Sequence, residues 1–397
     1  MLRLVKLPFA WTPKASMLTR VFGLCAAAAA ALLLVPGPAL FAQQRQARVV
    51  SPEVSADHRV TFRFRDPGAR EVHVNMEGSL KPLPMQKDDQ GVWSVTTDPL
   101  APEYYGYSFV ADGVSLIDPE NPLLRPNLLG SGSLVHVPGP ASLPWETRDV
   151  PHGVVHHVLY HSNVVGDDRD FYVYTPPGYD ARGKTLYPVL YLQHGFSDDT
   201  SAWTSIARAN VIEDNLIADG KAKPMIIVMP DGYGVDSIVS RTGPGLRDPG
   251  VSMENYNKYR DALLHEVIPM AEKMYRVKAD REHRAMSGLS MGGAETLYVG
   301  LNALDTFSYI GAFSSGGLPT NYDQLFPNMG PAMNAKLHVL WMSCGTDDRL
   351  LKPNENIRDF LKSKGVNVRW STSPGAHWWP VWRGNLANFL PLLFQQQ

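Results

Sequence analysis

The sequence predicts two folded parts, a small all-β sandwich followed by an α/β domain built on a mostly parallel sheet. Two changes of texture along the chain carry this prediction. From about Val49 to Val137, short segments alternate apolar and polar residues and are broken by Gly, Pro and Asp. Beyond Pro151, apolar runs alternate with longer stretches of helical period. Period-two alternation with frequent turn residues describes strands with one buried face, as in an antiparallel sandwich. Continuous apolar strands separated by helices describe a sheet covered on both faces.

Residues 1–42 are set apart from both domains. Arg20 precedes an apolar run from Val21 to Val35, followed by Pro36, Gly37, Pro38 and small residues ending at Ala42, the pattern of a secretory signal peptide. Met17 is an alternative start, because the stretch from it to Ala42 has ordinary signal length. The run is short for a membrane span, and Leu24 before Cys25 fits a lipoprotein cleavage site poorly, so no stable membrane anchor is expected. The expected location is secreted or periplasmic. Cys25 would leave with the signal, so Cys344 remains alone and no internal disulfide is expected. Strand-like Val339 to Met342 before it and Gly345 after it make Cys344 a small buried hydrophobe.

Residues 43–137 form the expected sandwich. Its clearest segments are Val60 to Arg65, Glu71 to Val74, Val92 to Val95 and Tyr104 to Val110. Trp93, between Val92 and Val95, is either a core residue or a stacking platform, and core is the commoner use of a strand aromatic. Residues 138–150 are rich in Pro and Gly without periodicity and predict a stiff linker. Residues 151–397 form the α/β domain, with strands at Val189–Leu192 and Met225–Met229, helices around Asn210–Asp219 and Tyr256–Met274, and a strand before Ser287. In 397 residues the formal charge is only −2, which offers no long-range attraction to nucleic acid or anionic membrane.

The chemistry concentrates in the second domain. Gly288-Leu289-Ser290-Met291-Gly292-Gly293 matches the G-x-S-x-G turn of an α/β-hydrolase, in which a serine sits at a sharp bend between strand and helix. The flanking residues agree, with strand-like Arg284 to Met286 before it and helix-forming Ala294 to Tyr298 after it. A serine hydroxyl needs a base, and in this fold the partners follow in the order serine, acid, histidine. His377, in the loop Pro374 to His377, is the last histidine in the chain. The acid comes from the loop after Trp341 to Gly345, where Asp347 and Asp348 are adjacent and point to different sides. One of them should face the imidazole; the other should cap the next helix or meet solvent. Backbone N–H groups of Met291 and of Phe196, in the loop Gln193-His194-Gly195-Phe196-Ser197, are the expected oxyanion donors. His194 is read as a residue shaping that loop. His152, His156, His157 and His161 lie close together on an apparent strand that turns neighbours to opposite faces, and no metal site or cofactor is expected.

Several segments resemble the feruloyl esterases of carbohydrate esterase family 1: Arg281 to Ala285, Gly288 to Gly293, Cys344-Gly345-Thr346-x-Asp348, and Gly375-x-His377-x-Trp379-x-x-Trp382-Arg383. Tyr172 to Tyr179 and Asn388 to Phe394 resemble it as well, so the likeness runs from about Val155 to Phe394. It implies that Asp348 rather than Asp347 is the acid, and that the reaction is ester hydrolysis through an acyl group on Ser290. Residues 51–127 resemble the early-set immunoglobulin-like module often labelled carbohydrate-binding module family 48. The implied substrate is a feruloyl ester on plant cell-wall polysaccharide, with acetylxylan and siderophore esters as alternatives and a non-catalytic sugar-binding protein as a third reading. A feruloyl ring needs an apolar slot, and Trp203, Tyr233, Trp378 and Trp379 are the aromatics nearest in sequence to the catalytic loops.

Overall fold

A computed structural model describes residues 48–243 and 245–395. The expected signal peptide, with Met17 and Cys25, lies outside the described residues. From Val49 onward the chain forms one compact unit.

The first part contains the strands β1 (Val60–Arg65), β2 (Val72–Met76), β3 (Val92–Thr96), β4 (Glu103–Ala111) and β5 (Gly132–Val137). β1 and β3 pair antiparallel in one sheet, and β2, β4 and β5 pair antiparallel in a second. Alternation along β1 turns Val60, Phe62 and Phe64 inward, where they meet Val74, Tyr107 and Phe109 of the other sheet. The Phe64 and Phe109 rings stack with centroids 4.9 Å apart. Trp93 is buried in the same core and its indole N–H donates to the Asp66 carbonyl at 2.8 Å, which makes it a packing residue.

The second part is an eight-stranded sheet. Its strands are β6 (Val154–Ser162), β7 (Asp167–Thr175), β8 (Val189–Gln193), β9 (Ile226–Pro230), β10 (Arg284–Leu289), β11 (Tyr309–Phe313), β12 (Val339–Gly345) and β13 (Arg369–Ser373). They lie in the order β6-β7-β9-β8-β10-β11-β12-β13. β6 with β7 and β7 with β9 are antiparallel, and every later pairing is parallel. β8, β9, β11 and β12 are buried along their whole length, which is why they read as unbroken apolar runs.

The main helices are α1 (Ala209–Ala218), α2 (Pro249–Ala262), α3 (Met291–Asn302), α4 (Leu351–Ser363) and α5 (Trp379–Phe389). α2, α3 and α4 contribute to one core and α1 and α5 to the other, so both faces of the sheet are covered. The parallel strands all deliver their carboxyl ends to one edge, where loops can gather distant side chains.

Residues 138–150 do not behave as a free spacer. Asn215 of α1 donates to the Pro144 and Glu146 carbonyls at 2.7 and 2.8 Å, and Arg208 donates to the Trp145 carbonyl at 3.0 Å. These bonds strap the segment to the second, eight-stranded part. Across the same seam, Leu134 of β5 joins the core that contains α5. Glu77, just after β2, receives the Trp379 N–H at the start of α5 at 3.3 Å. A carboxylate at that position also complements the helix dipole.

Candidate active site

Ser290 lies between β10 and α3 with φ 52° and ψ −115°, a backbone conformation that costs a non-glycine residue energy and is held by its surroundings. Its own N–H donates to the Phe313 carbonyl and its carbonyl accepts from Gly316, both at 2.9 Å. The bend leaves no room for side chains beside it. A Cβ on Gly288 would stand 2.5 Å from the Gly292 oxygen, and one on Gly292 would stand 2.4 Å from the His194 oxygen.

Two loops at the same edge complete the arrangement. His377, between β13 and α5, has Nε2 at 2.9 Å from Ser290 Oγ and Nδ1 at 2.8 Å from Asp348 Oδ2. With Nδ1–H donating to Asp348, Nε2 is left to accept the serine proton. Trp382 packs edge-on against the imidazole at 4.8 Å between centroids. Asp348 is buried, which disfavours its charge, but the hydrogen bond and charge of His377 and the Leu350 N–H outweigh burial and hold its carboxyl below the ordinary carboxylate range. An ionised acid at Nδ1 fixes the tautomer and supports the imidazolium that forms in acyl transfer.

Asp347 is exposed and points elsewhere. Its Oδ2 accepts the Gly375 N–H at 3.3 Å, and its own N–H donates to the Gly375 carbonyl at 2.9 Å. It therefore clips the histidine loop to the acid loop. Of the two alternatives expected for the second aspartate, solvent exposure holds and capping does not, because α4 begins after Leu350 with no side-chain cap.

The Phe196 loop lies against the elbow, since a Cβ on Gly195 would come within 3.5 Å of Ser290 Cβ. Met291 opens α3, so its N–H belongs to the unpaired first turn of a helix, where partial positive charge collects. His194 is buried, with Nδ1 at 2.9 Å from the Gly195 carbonyl and Nε2 accepting the Gly232 N–H at 3.0 Å. Both ring nitrogens are occupied in holding the loop.

The four aromatics divide. Trp203 and Trp379 are 0% exposed and pack edge to face on each other in the core, with the Trp203 indole N–H bound to the Gln193 carbonyl. The expectation that they contact substrate is corrected: their rings have no free face. Tyr233 is also buried. Its hydroxyl donates to the Asp198 carbonyl at 2.7 Å and its ring packs on His194, so it supports the Phe196 loop from behind. Trp378 alone among the four reaches a groove beside the imidazole. That groove, of about 320 Å³, is shared by His377 and Trp378 with Glu77, Tyr107 and Arg125 of the sandwich.

A cavity of about 790 Å³ borders the Phe196 loop, lined by Phe196, Leu246, Gly317, Arg241, Arg247 and Arg349, among others. Arg241 and Arg247 lie on the one connection between β9 and α2 and Arg349 lies in the loop after β12, a pairing of distant segments that carries no shared sequence pattern, which is why sequence reasoning missed them. The position of Arg349 beside Asp348 was the one available signal.

His152, just before β6, and the three histidines of β6 each have a partner of their own. His152 pairs with Asp214, His156 with Thr175, His157 with Asp170 and His161 with Asp168. Among the described residues no group of three or more such side chains is placed to hold a metal. Cys344 is buried, and burial together with the nearby Asp348 charge pushes its thiol up to about 12, far from a thiolate nucleophile.

Comparison with known proteins agrees with this geometry. The Esterase family model matches residues 162–393, more than half the chain. The chain belongs to this esterase family. Among curated relatives of this family member, an endo-1,4-beta-xylanase/feruloyl esterase of Xylanibacter ruminicola is 32% identical over 87% of the chain and 46% of the relative. An acetyl esterase of Caldicellulosiruptor saccharolyticus is 23% identical over 50% of the chain and 80% of the relative. The chain thus spans under half the length of the xylanase/feruloyl esterase. Among solved structures, a ferulic acid esterase of Anaeromyces mucronatus bound to ferulic acid superposes with a TM-score of 0.57 at 25% identity, over 64% of this esterase-family chain and 96% of that chain. An enterobactin esterase of Shigella flexneri superposes with a TM-score of 0.63 at 19% identity, over 85% and 93%, which extends the shared fold into the sandwich.

Proposed function

We propose that this chain is an exported serine esterase that cleaves feruloyl esters on plant cell-wall polysaccharide. One observation carries the reading: Ser290 Oγ, both imidazole nitrogens of His377 and the buried Asp348 carboxylate form a continuous hydrogen-bonded series. In that series His377 takes the serine proton as Oγ attacks the ester carbonyl, and the Met291 and Phe196 N–H groups receive the negative charge that develops on the carbonyl oxygen. His377 then returns the proton to the departing sugar oxygen, leaving the acyl group on Ser290. A water, deprotonated by the same imidazole, attacks that ester and releases the acid.

The choice of feruloyl ester is supported by the xylanase/feruloyl esterase relative and by the ferulic acid esterase structure. Export is supported by the composition of residues 1–42. The sandwich, read as an early-set immunoglobulin-like module, supplies one wall of the groove beside His377, which suits the sugar on the leaving side. The test is hydrolysis by the purified protein of methyl ferulate, p-nitrophenyl acetate and a catecholate siderophore ester, with release of ferulate from insoluble cell-wall material. Feruloyl esters should give the highest kcat/KM; a clear preference for acetyl or siderophore ester would replace the substrate, and no hydrolysis of any would remove the reading.

A further inference from the structure

Arg241, Arg247 and Arg349, all exposed, share the cavity of about 790 Å³ beside the Phe196 loop, and among the described residues no acidic side chain lines it. Among the described residues none of the three has an ion-pair or hydrogen-bond partner. The buried Arg169, Arg284 and Arg383 are by contrast each paired with a carboxylate. The chain as a whole is slightly acidic, so this concentration of positive charge is local. Like charges around one concave space repel each other and raise the local positive potential, which an entering anion relieves. The guanidinium fork matches the two oxygens of a carboxylate.

Reaction chemistry decides which end of an ester enters this cavity. The leaving oxygen must lie within reach of His377 Nε2, so the alcohol occupies the groove that His377 and Trp378 share with the sandwich. The carbonyl oxygen must face the Phe196 and Met291 N–H groups. Phe196 is also a wall of the arginine cavity. Gly317, on the same wall, follows Gly316, where a Cβ would stand 3.7 Å from Ser290 Oγ. The acyl group is therefore left with the arginine side. The volume falls in the range that encloses a small organic ligand and leaves space beyond a single aromatic ring.

Resting on the esterase reading above, we propose that this cavity selects acyl groups that carry a second, ionised carboxylate remote from the scissile ester, with aromatic dicarboxylic half-esters as the chemical class. A neutral feruloyl ring occupies the same space with its phenolic oxygens toward the guanidinium groups; the arginines add a preference for its charged relatives.

The test compares kcat/KM within matched pairs. The first pair is methyl cinnamate bearing a para carboxylate and the same ester bearing a para carboxamide. The second places the charge on the alcohol: carboxymethyl cinnamate against carbamoylmethyl cinnamate. The wild-type protein should prefer the acyl carboxylate to its carboxamide by about tenfold or more, and less so at high salt. In the Arg241→Gln, Arg247→Gln, Arg349→Gln triple variant the ratio should fall to near one; as a ratio within one enzyme, it is insensitive to a general loss of activity. A wild-type ratio near one, or a ratio that survives in the triple variant, overturns the proposal. A preference confined to the second pair overturns the acyl assignment. Cleavage of all four esters without charge preference removes this proposal alone, whereas cleavage of none removes the esterase reading and this one with it.

Discussion

Arg383 donates to the Glu103 carboxylate across the seam between the sandwich and the eight-stranded part, while its Nε and Nη2 are taken by the Ala207 and Ile206 carbonyls. The two side chains are 0% and 8% exposed. Burial pushes the Glu103 carboxyl up to about 7 even beside Arg383, so removing Arg383 leaves a buried acid without its donor and counter-charge. Arg383→Met should therefore destabilise the protein by about 3–5 kcal/mol, seen as a lower Tm, and adding Glu103→Leu should restore much of the loss. An unchanged Tm in the single variant would show that the pair does not hold the seam.

Ser290→Ala should leave a folded protein whose ester hydrolysis is lowered by about a thousandfold or more, the residue coming from the oxyanion donors and binding alone. Near-normal turnover in the folded variant, measured with methyl ferulate, would exclude Ser290 as nucleophile.

The two neighbouring aspartates should separate in kinetics. Asp348→Asn loses the carboxylate at His377 Nδ1 and should lower kcat by about a thousandfold or more. Asp347→Asn disturbs only the bond to the Gly375 N–H and should cost roughly tenfold or less, since the loop keeps its backbone bond. The opposite ranking would reassign the acid.

Asp348 also predicts a pH dependence of stability. Its folded pKa lies below its unfolded value, so the stability it contributes is present above the ordinary carboxylate range and is lost as pH falls through the lowered pKa. The Tm difference between wild type and Asp348→Asn should be large at neutral pH and shrink below about pH 4. A constant difference from pH 7 to 3 would contradict the assigned direction.

Gly292→Ala tests the crowding behind the serine. Its new methyl would meet the His194 carbonyl and Gln193 Cβ, 2.4 and 2.6 Å away, and push the Phe196 loop outward. Destabilisation of about 1–3 kcal/mol, with a fall in kcat, is expected. A variant with wild-type Tm and kcat would mean the loop yields freely.

The elbow was legible because a strand, a serine in a forbidden bend and a helix compress the constraint into six residues, Gly288 to Gly293. His377 was legible because the order serine, acid, histidine leaves no later histidine. The sandwich and the sheet followed from the two periodicities. Trp203 and Trp379 were not legible as core residues, because nearness in sequence to a catalytic loop says nothing about which face of a helix turns inward. The role of Glu77 was equally hidden: it lies some 300 residues before the helix whose first N–H it receives. Contacts made across a seam leave no local pattern.

The loops that carry Ser290, Asp348 and His377 leave β10, β12 and β13, and β11 lies between the first of these and the other two. Ser290 and His377 are 87 positions apart in the chain. No local segment can hold two of the three at working distance except the Asp348–His377 pair, and even that pair needs β12 and β13 in register. Catalysis is therefore a late event in folding, absent from any collapsed or half-paired species however much secondary structure it contains. Return of turnover after dilution from denaturant would time the closure of this one flank of the sheet, with the enzyme acting as its own reporter of strand register.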